Sequence, residues 1–587
     1  MPLTPSRWRV YPRASDAYFR RFPQLPPLVA QILYNRGITE AEDVQDFLAR
    51  RSPHDTDPFQ LRGMRQAVTR LQHAIQAGEL VAVYGDYDAD GVTATALMVQ
   101  TLTALGGTAC HYIPDRLQEG YGLNREALSR LVGAGVRVVL TVDCGIRSVP
   151  EVIHGNQLGL DLIVTDHHYV GEEIPPALAT INPTQPGCPY PFKKLAGVGL
   201  AFKMAQALLR EACGPSRLAE DDLLDLVALG TVADIAPLVG ENRDLVARGL
   251  ERLNTAQRLG LRRLMAQAGI QPGRVDTRTI GFGLGPRLNA AGRLESALAA
   301  YELLVTDDED RANQLAQQLE IQNRERQALT QATLEEARQV ILQDGASRPL
   351  YLISHRSFNA GIVGLVSGRL TEEFYRPTLV AHQGDAHTTG SARSIPEFHI
   401  TQALDACADL LERYGGHSLA AGFTVSNENL PKLEARLLDI ARRELADVEL
   451  VPELQIDANL NLRGINRRRV EDLLSARAVG LPVDEHDVGL EIIAGMEALR
   501  PFGEGNPVPL FASYDLEVKS KRTVGAAADH LKLVLDDGKQ MWDAIAFRMG
   551  SYYNELPPRV DIAYALEINE WNGRQRLQLN LEDLKPA

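Results

Sequence analysis

Three short apolar runs, each ended by acidic or histidine residues, constrain this chain more than any other feature. Leu80–Tyr84 leads through Gly85 into Asp86-Tyr-Asp88-Ala-Asp90-Gly91. Val136–Val142 leads into Asp143-Cys-Gly145, and residues 162–165 lead into Asp166-His167-His168. Short continuous apolar runs that alternate with helix-patterned segments, such as 92–105, predict a parallel sheet covered on both faces. Open parallel sheets bind ligands beyond the carboxyl ends of their strands. All three runs deliver their polar residues at that end.

The rest of the chain extends this α/β reading. Residues 1–60 are rich in Pro and Arg at first and then helical in pattern. Residues 307–343 contain neither Pro nor Gly and predict one helix of roughly 50 Å, at ~1.5 Å per residue, joining two lobes. Its charged side chains, such as Glu320, Arg324, Glu325 and Arg326, read as solvated surface. A second α/β unit starts at residues 350–354. From about residue 451, strand-like runs at 514–518, 531–535, 544–547, 562–568 and 577–581 predict a small β-barrel. The expected fold class is therefore α/β, with two lobes, a long connecting helix and a C-terminal barrel.

Composition limits the class of function. The 587 residues include 61 basic and 76 acidic side chains, for a net charge of −15. That balance argues against coating duplex nucleic acid through bulk charge and leaves room for a confined basic track. The five cysteines, Cys110, Cys144, Cys188, Cys213 and Cys407, are far apart and form no CxxC pair. A reducing, cytoplasmic setting is expected, without disulfides or a zinc ribbon. No apolar stretch approaches the ~20 residues that span a bilayer, and no signal peptide is visible, so no membrane partner is expected.

The densest chemical feature is Asp86-x-Asp88-x-Asp90-Gly. Three carboxylates this close repel one another unless a cation neutralises them. An EF-hand is rejected, because the twelfth position counted from Asp86 is Leu97 and a strand precedes the loop. An acidic turn with an Asp helix cap is the plainer alternative. His167 and His168 at the same sheet edge, with Asp143 and with Asp234 from Thr231-Val-Ala-Asp234, favour a metal site. A mixed carboxylate and imidazole set suits Mn²⁺ well and Mg²⁺ less specifically, and leaves Zn²⁺ open. The ligand number suffices for two ions sharing one carboxylate, the arrangement of metal-assisted phosphoester hydrolysis. No GxxxxGK[ST] loop is present.

With Asp86-x-Asp88-x-Asp90-Gly, Asp143, Asp166-His-His168 and Asp234 in this order, the chain resembles the DHH phosphoesterase superfamily. Gly415-Gly-His417 with Ser418-Leu-Ala-Ala-Gly422 resembles the associated DHHA1 domain. Within the superfamily the match is to the RecJ-type single-strand-specific DNA exonucleases, from roughly residue 60 to the end. The resemblance implies an N-terminal extension at 1–60, a DHH catalytic domain at 61–305 and a connecting helix at 306–346. It implies a DHHA1 domain at 347–450 and a nucleic-acid-binding OB-fold at 451–587. It makes Asp86, Asp88, Asp143, His167 and Asp234 ligands of two Mn²⁺ or Mg²⁺ ions, with Asp143 shared. Asp90 would bind metal or orient a water, and His168 would sit beside the scissile phosphate.

Such an enzyme must hold a 5′ end, and the Arg fork binds phosphate oxygens bidentately. Arg116, Arg287, Asn289, Arg293, Ser391, Arg393 and His417 are the candidate phosphate and DNA contacts. They lie in segments rich in Gly and other small residues. Arg116, Arg293, Ser391 and Arg393 are expected to hold the 5′-phosphate. Tyr121, Phe398 and His399 could stack on bases or equally serve as packing. In the barrel, Arg463, Arg467-Arg-Arg469, Lys519, Lys521 and Arg522 could track a strand, with Trp542 and Trp571 as candidate platforms, although a buried Trp is the commoner case. The segment 478–489, with Asp484, Glu485, His486 and Asp487, reads as an exposed acidic loop. The expected activity is 5′-to-3′ hydrolysis of single-stranded DNA to mononucleotides in repair and recombination, alongside a helicase and single-strand-binding protein. The alternatives are a phosphodiesterase acting on short oligonucleotides or cyclic dinucleotides, and a non-catalytic scaffold.

Overall fold

Side chains along the apolar runs alternate between two cores, which is why they form a sheet covered on both sides. In the computed structural model, Val81, Val83, Val138, Leu140 and Ile163 join one cluster, and Ala82, Tyr84, Val139, Leu162 and Val164 join another. This is the period of two that a pleated strand imposes. Fully burying a Val or Leu contributes about 1.5–3 kcal/mol, so each strand is fastened from both faces. The structure describes residues 6–50, 56–116, 119–120, 122–212, 217–255, 257–478, 488–525, 527–571 and 574–587. The acidic loop expected at 478–489 lies almost wholly outside the described residues, as do Tyr121 and Cys213.

Contacts divide the chain into two compact units. One comprises residues 45–328 and 500–507. Its five-stranded sheet runs in the order Thr108–Tyr112, Leu80–Tyr84, Val136–Val142, Asp161–Thr165, Ala179–Ile181, and every pairing is parallel. Helices Met64–Ala77, Ala89–Ala104, Gly197–Arg210 and Leu224–Ala233 supply the first core; Arg125–Gly133 and Val149–Gln157 supply the second. From Leu80–Tyr84 the chain crosses to one neighbour and then, by Val136–Val142, to the other side. The switch point therefore lies between the loops that carry Asp86 and Asp143, where doubly wound sheets bind ligands.

The other unit comprises residues 1–44, 329–499 and 508–587. One sheet runs Leu411–Gly416, Ala420–Ser426, His387–Arg393, Thr378–Gln383, Tyr351–His355; the last pair is parallel and the others antiparallel. Phe511–Val524, His530–Asp536, Met541–Ala546, Arg574–Pro586 and Arg559–Trp571 close into a five-stranded barrel, because Arg559–Trp571 pairs back with Phe511–Val524. Leu531, Leu533 and Leu535 fill its interior at every second position. The Arg- and Pro-rich start contributes a strand the sequence did not announce: Arg7–Val10 pairs in parallel with Glu453–Ile456.

The long helix is continuous over Glu309–Gln343. Ala312, Leu315, Ala316 and Leu319 pack in the first unit, and Leu334, Ala337 and Ile341 in the second. Its charged residues are not all solvated, contrary to expectation. Glu320 is buried and accepts hydrogen bonds from Arg287 Nε at 2.7 Å and Arg324 Nε at 2.6 Å. Among the described residues no helix is long and apolar enough to cross a membrane.

Candidate metal centre

The strand ends bring the acidic and histidine residues into three overlapping groups. Asp86, Asp88 and Asp143 form one, Asp90, His167 and Asp234 another, and Asp143, His167 and His168 the third, each with donor atoms within 4.8 Å of one another. Asp143 adopts a left-handed backbone with φ of 62°, which turns the chain sharply at the end of Val136–Val142. Gly197 stands directly against it: a Cβ there would lie 2.5 Å from Asp143 Oδ1, so a side chain would displace the carboxylate.

Each carboxylate is held differently. Asp88 caps helix Ala89–Ala104, its Oδ1 accepting from the N–H groups of Asp90 at 3.0 Å and Gly91 at 3.1 Å. Asp90 is buried, and its two oxygens accept from Gly197 N–H at 2.7 Å and Val198 N–H at 2.8 Å, at the start of helix Gly197–Arg210. Both contacts favour the carboxylate and aim it with little freedom. Asp234 ends helix Leu224–Ala233. His167 Nε2 lies 3.1 Å from Asp143 Oδ1 and 3.9 Å from both Asp90 Oδ2 and Asp234 Oδ2.

The electrostatics fit a divalent cation. Burial and the mutual repulsion of the acids push Asp86 and Asp143 well above the ordinary carboxylate range, Asp90 to about 7 and Asp234 to about 9. Burial, reinforced by His168, brings His167 down to about 4, so its imidazole is neutral and able to ligate. Asp86 Oδ1 and His167 Nε2 are buried polar atoms with no hydrogen-bond partner among the described residues. Such atoms cost free energy unless something coordinates them. Hard carboxylate oxygens with one or two imidazoles match Mn²⁺ or Mg²⁺, so the residues present fit the expected ions.

His168 has a different environment. Its Nδ1 lies 2.7 Å from Asp166 Oδ1, which also accepts the His168 backbone N–H at 3.0 Å. Burial works against charge on His168, but the hydrogen bond and charge of Asp166 outweigh it and push the imidazole up to about 9. Asp166 Oδ2 accepts from Ile146 N–H at 2.9 Å, joining the His168 loop to the Asp143 loop. Sequence reasoning noted Asp166 without giving it a task. An acid two residues before the second histidine was the available signal.

The cationic candidates fall in both units. In the first, Arg116 lies over the Tyr87 ring at 4.9 Å. Burial and the charges of Arg116 and Arg326 lower Arg293 to about 10, so both guanidinium groups act on Arg293 there. Arg326, read from sequence as helix surface, belongs to this set. Arg287 and Asn289 are otherwise engaged: Arg287 bonds Glu320 and Gly283 O, and Asn289 Oδ1 accepts from Ala89 N–H at 2.7 Å. In the second unit, Ser391 and Arg393 project from the same face of strand His387–Arg393, two residues apart. His417 is exposed in the turn before Ala420–Ser426, its N–H donating to Ala420 O at 2.7 Å.

Several stacking candidates have other roles. Phe398 is buried in the core, and His399 Nδ1 caps the next helix at Gln402 N–H. Trp542 is fully buried in the barrel, its Nε1–H donating to Asp537 Oδ2 at 2.9 Å. The side chain of Trp571 lies outside the described residues. Among the barrel cations, Lys519 pairs with Glu517 and Asp536, Lys521 donates to Tyr553 O and Arg463 to Asp537 O. Arg468, Arg469 and Arg522 are exposed.

Comparison with known proteins places the whole chain in a family. Residues 80–231 match the DHH family N-terminal domain, 348–446 the DHHA1 domain and 479–583 the RecJ OB domain. The single-stranded-DNA-specific exonuclease RecJ of Bacillus subtilis is 38% identical over 98% of this chain and 70% of its own length. The protein of the same description from Escherichia coli is 33% identical over 96% of both chains. The crystal structure of Thermus thermophilus RecJ with Mn²⁺ superposes with a TM-score of 0.82 at 31% identity, covering 99% of this chain and 80% of that one. That RecJ has also been crystallised with Mg²⁺, with a TM-score of 0.75 at 30% identity over 99% of this chain and 79% of that one. With the DHH, DHHA1 and OB elements in order and the acids and histidines gathered at the strand ends, the chain belongs to the RecJ family of DHH proteins.

Proposed function

We propose that this chain is a metal-dependent exonuclease that hydrolyses single-stranded DNA from the 5′ end to mononucleotides. The observation that carries the reading is the convergence of Asp86, Asp88, Asp143, His167 and Asp234 at the switch point of the parallel sheet, with Asp143 common to two of the ligand groups. Two bound Mn²⁺ or Mg²⁺ ions would activate water and stabilise the leaving oxygen of the phosphodiester. Asp90 holds the start of helix Gly197–Arg210 and orients the groups around it. His168, charged through Asp166, faces the phosphate as a hydrogen-bond donor.

Arg116 and Arg293 are phosphate contacts of the first unit, and, taken by themselves, Ser391 and Arg393 are phosphate contacts of the second. Arg287 and Asn289 support their own unit through the partners described, and His417 contacts the strand. In this reading residues 61–305 carry the chemistry, 306–346 connect, and 347–450 and 451–587 hold the strand. The enzyme works in the cytoplasm on ends made in repair and recombination, with a helicase supplying single strands and single-strand-binding protein covering them. The closed barrel and the full-length match to RecJ proteins speak against a short-oligonucleotide or cyclic-dinucleotide substrate. The complete ligand set speaks against a non-catalytic scaffold.

The test is cleavage of long single strands labelled at the 5′ or 3′ end, with and without Mn²⁺. Metal-dependent early release of the 5′ label as a mononucleotide is expected, with intact duplex resistant. Early release of the 3′ label, or equal rates on a dinucleotide, would reject the reading.

A further inference from the structure

We propose that residues 501–507 form a strap that positions Asp234 in the metal centre. The proposal rests on the metal-dependent reading above. Asp234 ends helix Leu224–Ala233, and the next residue, Ile235, has φ of 60°. That left-handed position at a helix end usually takes Gly, and a β-branched residue there is strained. The Ile235 side chain is 70% exposed, so its own packing does not hold the strain. Strained backbone persists where the surroundings over-determine it, and the segment that follows Ile235 is where such restraint is found.

Leu238 N–H donates to Glu504 O at 2.6 Å. The strap is itself anchored, because Thr277 Oγ1 donates to Phe502 O at 2.6 Å. It is also closed on itself: Gly503 and Asn506 exchange backbone hydrogen bonds of 2.9 and 3.1 Å, and Asn506 Nδ2 donates to Pro501 O at 2.7 Å. Asn506 is 1% exposed, so its amide has protein partners in place of water. A Cβ on Gly503 would lie 2.7 Å from Leu238 Cδ1, which shows how closely strap and loop approach. The strap comes from the C-terminal part of the sequence, yet it belongs to the unit that holds the metal ligands. It acts by fixing the chain four residues beyond Asp234, as outer-shell partners fix metal ligands.

The test is calorimetric titration of the full chain with Mn²⁺ in the absence of DNA, alongside kcat and KM on a single strand. Asn506→Ala should weaken Mn²⁺ binding by roughly ten-fold, and Thr277→Val by less, with KM for the strand unchanged. Ile235→Gly relieves the strained position and should restore Mn²⁺ affinity in the Asn506→Ala background. Folded strap variants that bind Mn²⁺ as the parent does, or a double variant that stays weak, would overturn the proposal. Should Asn506→Ala fail to fold, Thr277→Val alone and with Ile235→Gly decides it by the same readings. A parent chain that binds Mn²⁺ and cleaves no DNA would remove the exonuclease reading and leave the strap open to this same titration.

Discussion

The Asp143 carboxylate and the His167 imidazole approach to 3.1 Å, Oδ1 to Nε2, at the ends of two adjacent parallel strands. His167 is held neutral by burial, so the pair presents two ligand atoms to one point. Asp143→Asn should therefore abolish metal-dependent hydrolysis, by at least roughly 10²–10³-fold in kcat. Asn tolerates the left-handed backbone at this position, and the change removes a buried charge repelled by Asp90, Asp88 and Asp86. The metal-free variant should melt no lower than the parent, and a thermal melt beside the activity assay checks both parts.

Asp166 should matter to the rate without touching substrate. It pairs with His168 and accepts Ile146 N–H, so it fixes two strand-end loops at once. Asp166→Asn removes the charge that keeps His168 protonated and should lower kcat by roughly 10–100-fold, with KM for the strand little changed. Steady-state kinetics on a 5′-phosphorylated single strand separates the two parameters. An unchanged kcat in the folded variant would show that the charge on His168 is not used.

The sheet and the cluster of acids and histidines at its edge were legible because both follow from local pattern. Leu80–Tyr84 and Val136–Val142 are apolar on both faces, and the acids stand directly at their ends. What the sequence hid depends on distant partners. The anchoring of Asp90 on Gly197 joins residues 107 apart. The strand Arg7–Val10 alternates too briefly to be seen, and it forms because Glu453–Ile456 lies beside it. Phe398 and Trp542 resembled stacking platforms because residue type alone does not say which way a ring points; both fill cores. Arg326 shares a helix with solvated charges, and its nearness to Arg293 arises only when the helix is docked.

Glu320 tests the helix face that the sequence misread. It is buried between Arg287, whose side chain is 14% exposed, and Arg324, whose side chain is 74% exposed. Glu320→Ala would leave Arg287 largely buried without its carboxylate, at a cost of about 3–5 kcal/mol. Arg324→Ala breaks a solvated pair and should cost at most about 1 kcal/mol. Denaturant unfolding of both variants measures the contrast, and equal costs would place Glu320 in a solvated setting after all.

Arg393 should set the preference for a phosphorylated end. Burial lowers its pKa, its Nη1 donates to Ala392 O at 2.9 Å, and no carboxylate pairs with it among the described residues. A partly desolvated guanidinium without a counter-charge is poised for an anion, and the neighbouring Ser391 hydroxyl can add a second contact. Arg393→Ala should reduce the ratio of kcat/KM on 5′-phosphorylated to unphosphorylated single strands by about ten-fold, equivalent to about 1.4 kcal/mol. Arg393→Lys should fall between, since it keeps the charge and loses the bidentate fork. Competition between the two labelled strands in one reaction reads the ratio directly, and a ratio unchanged in both variants would show that Arg393 does not read the phosphate.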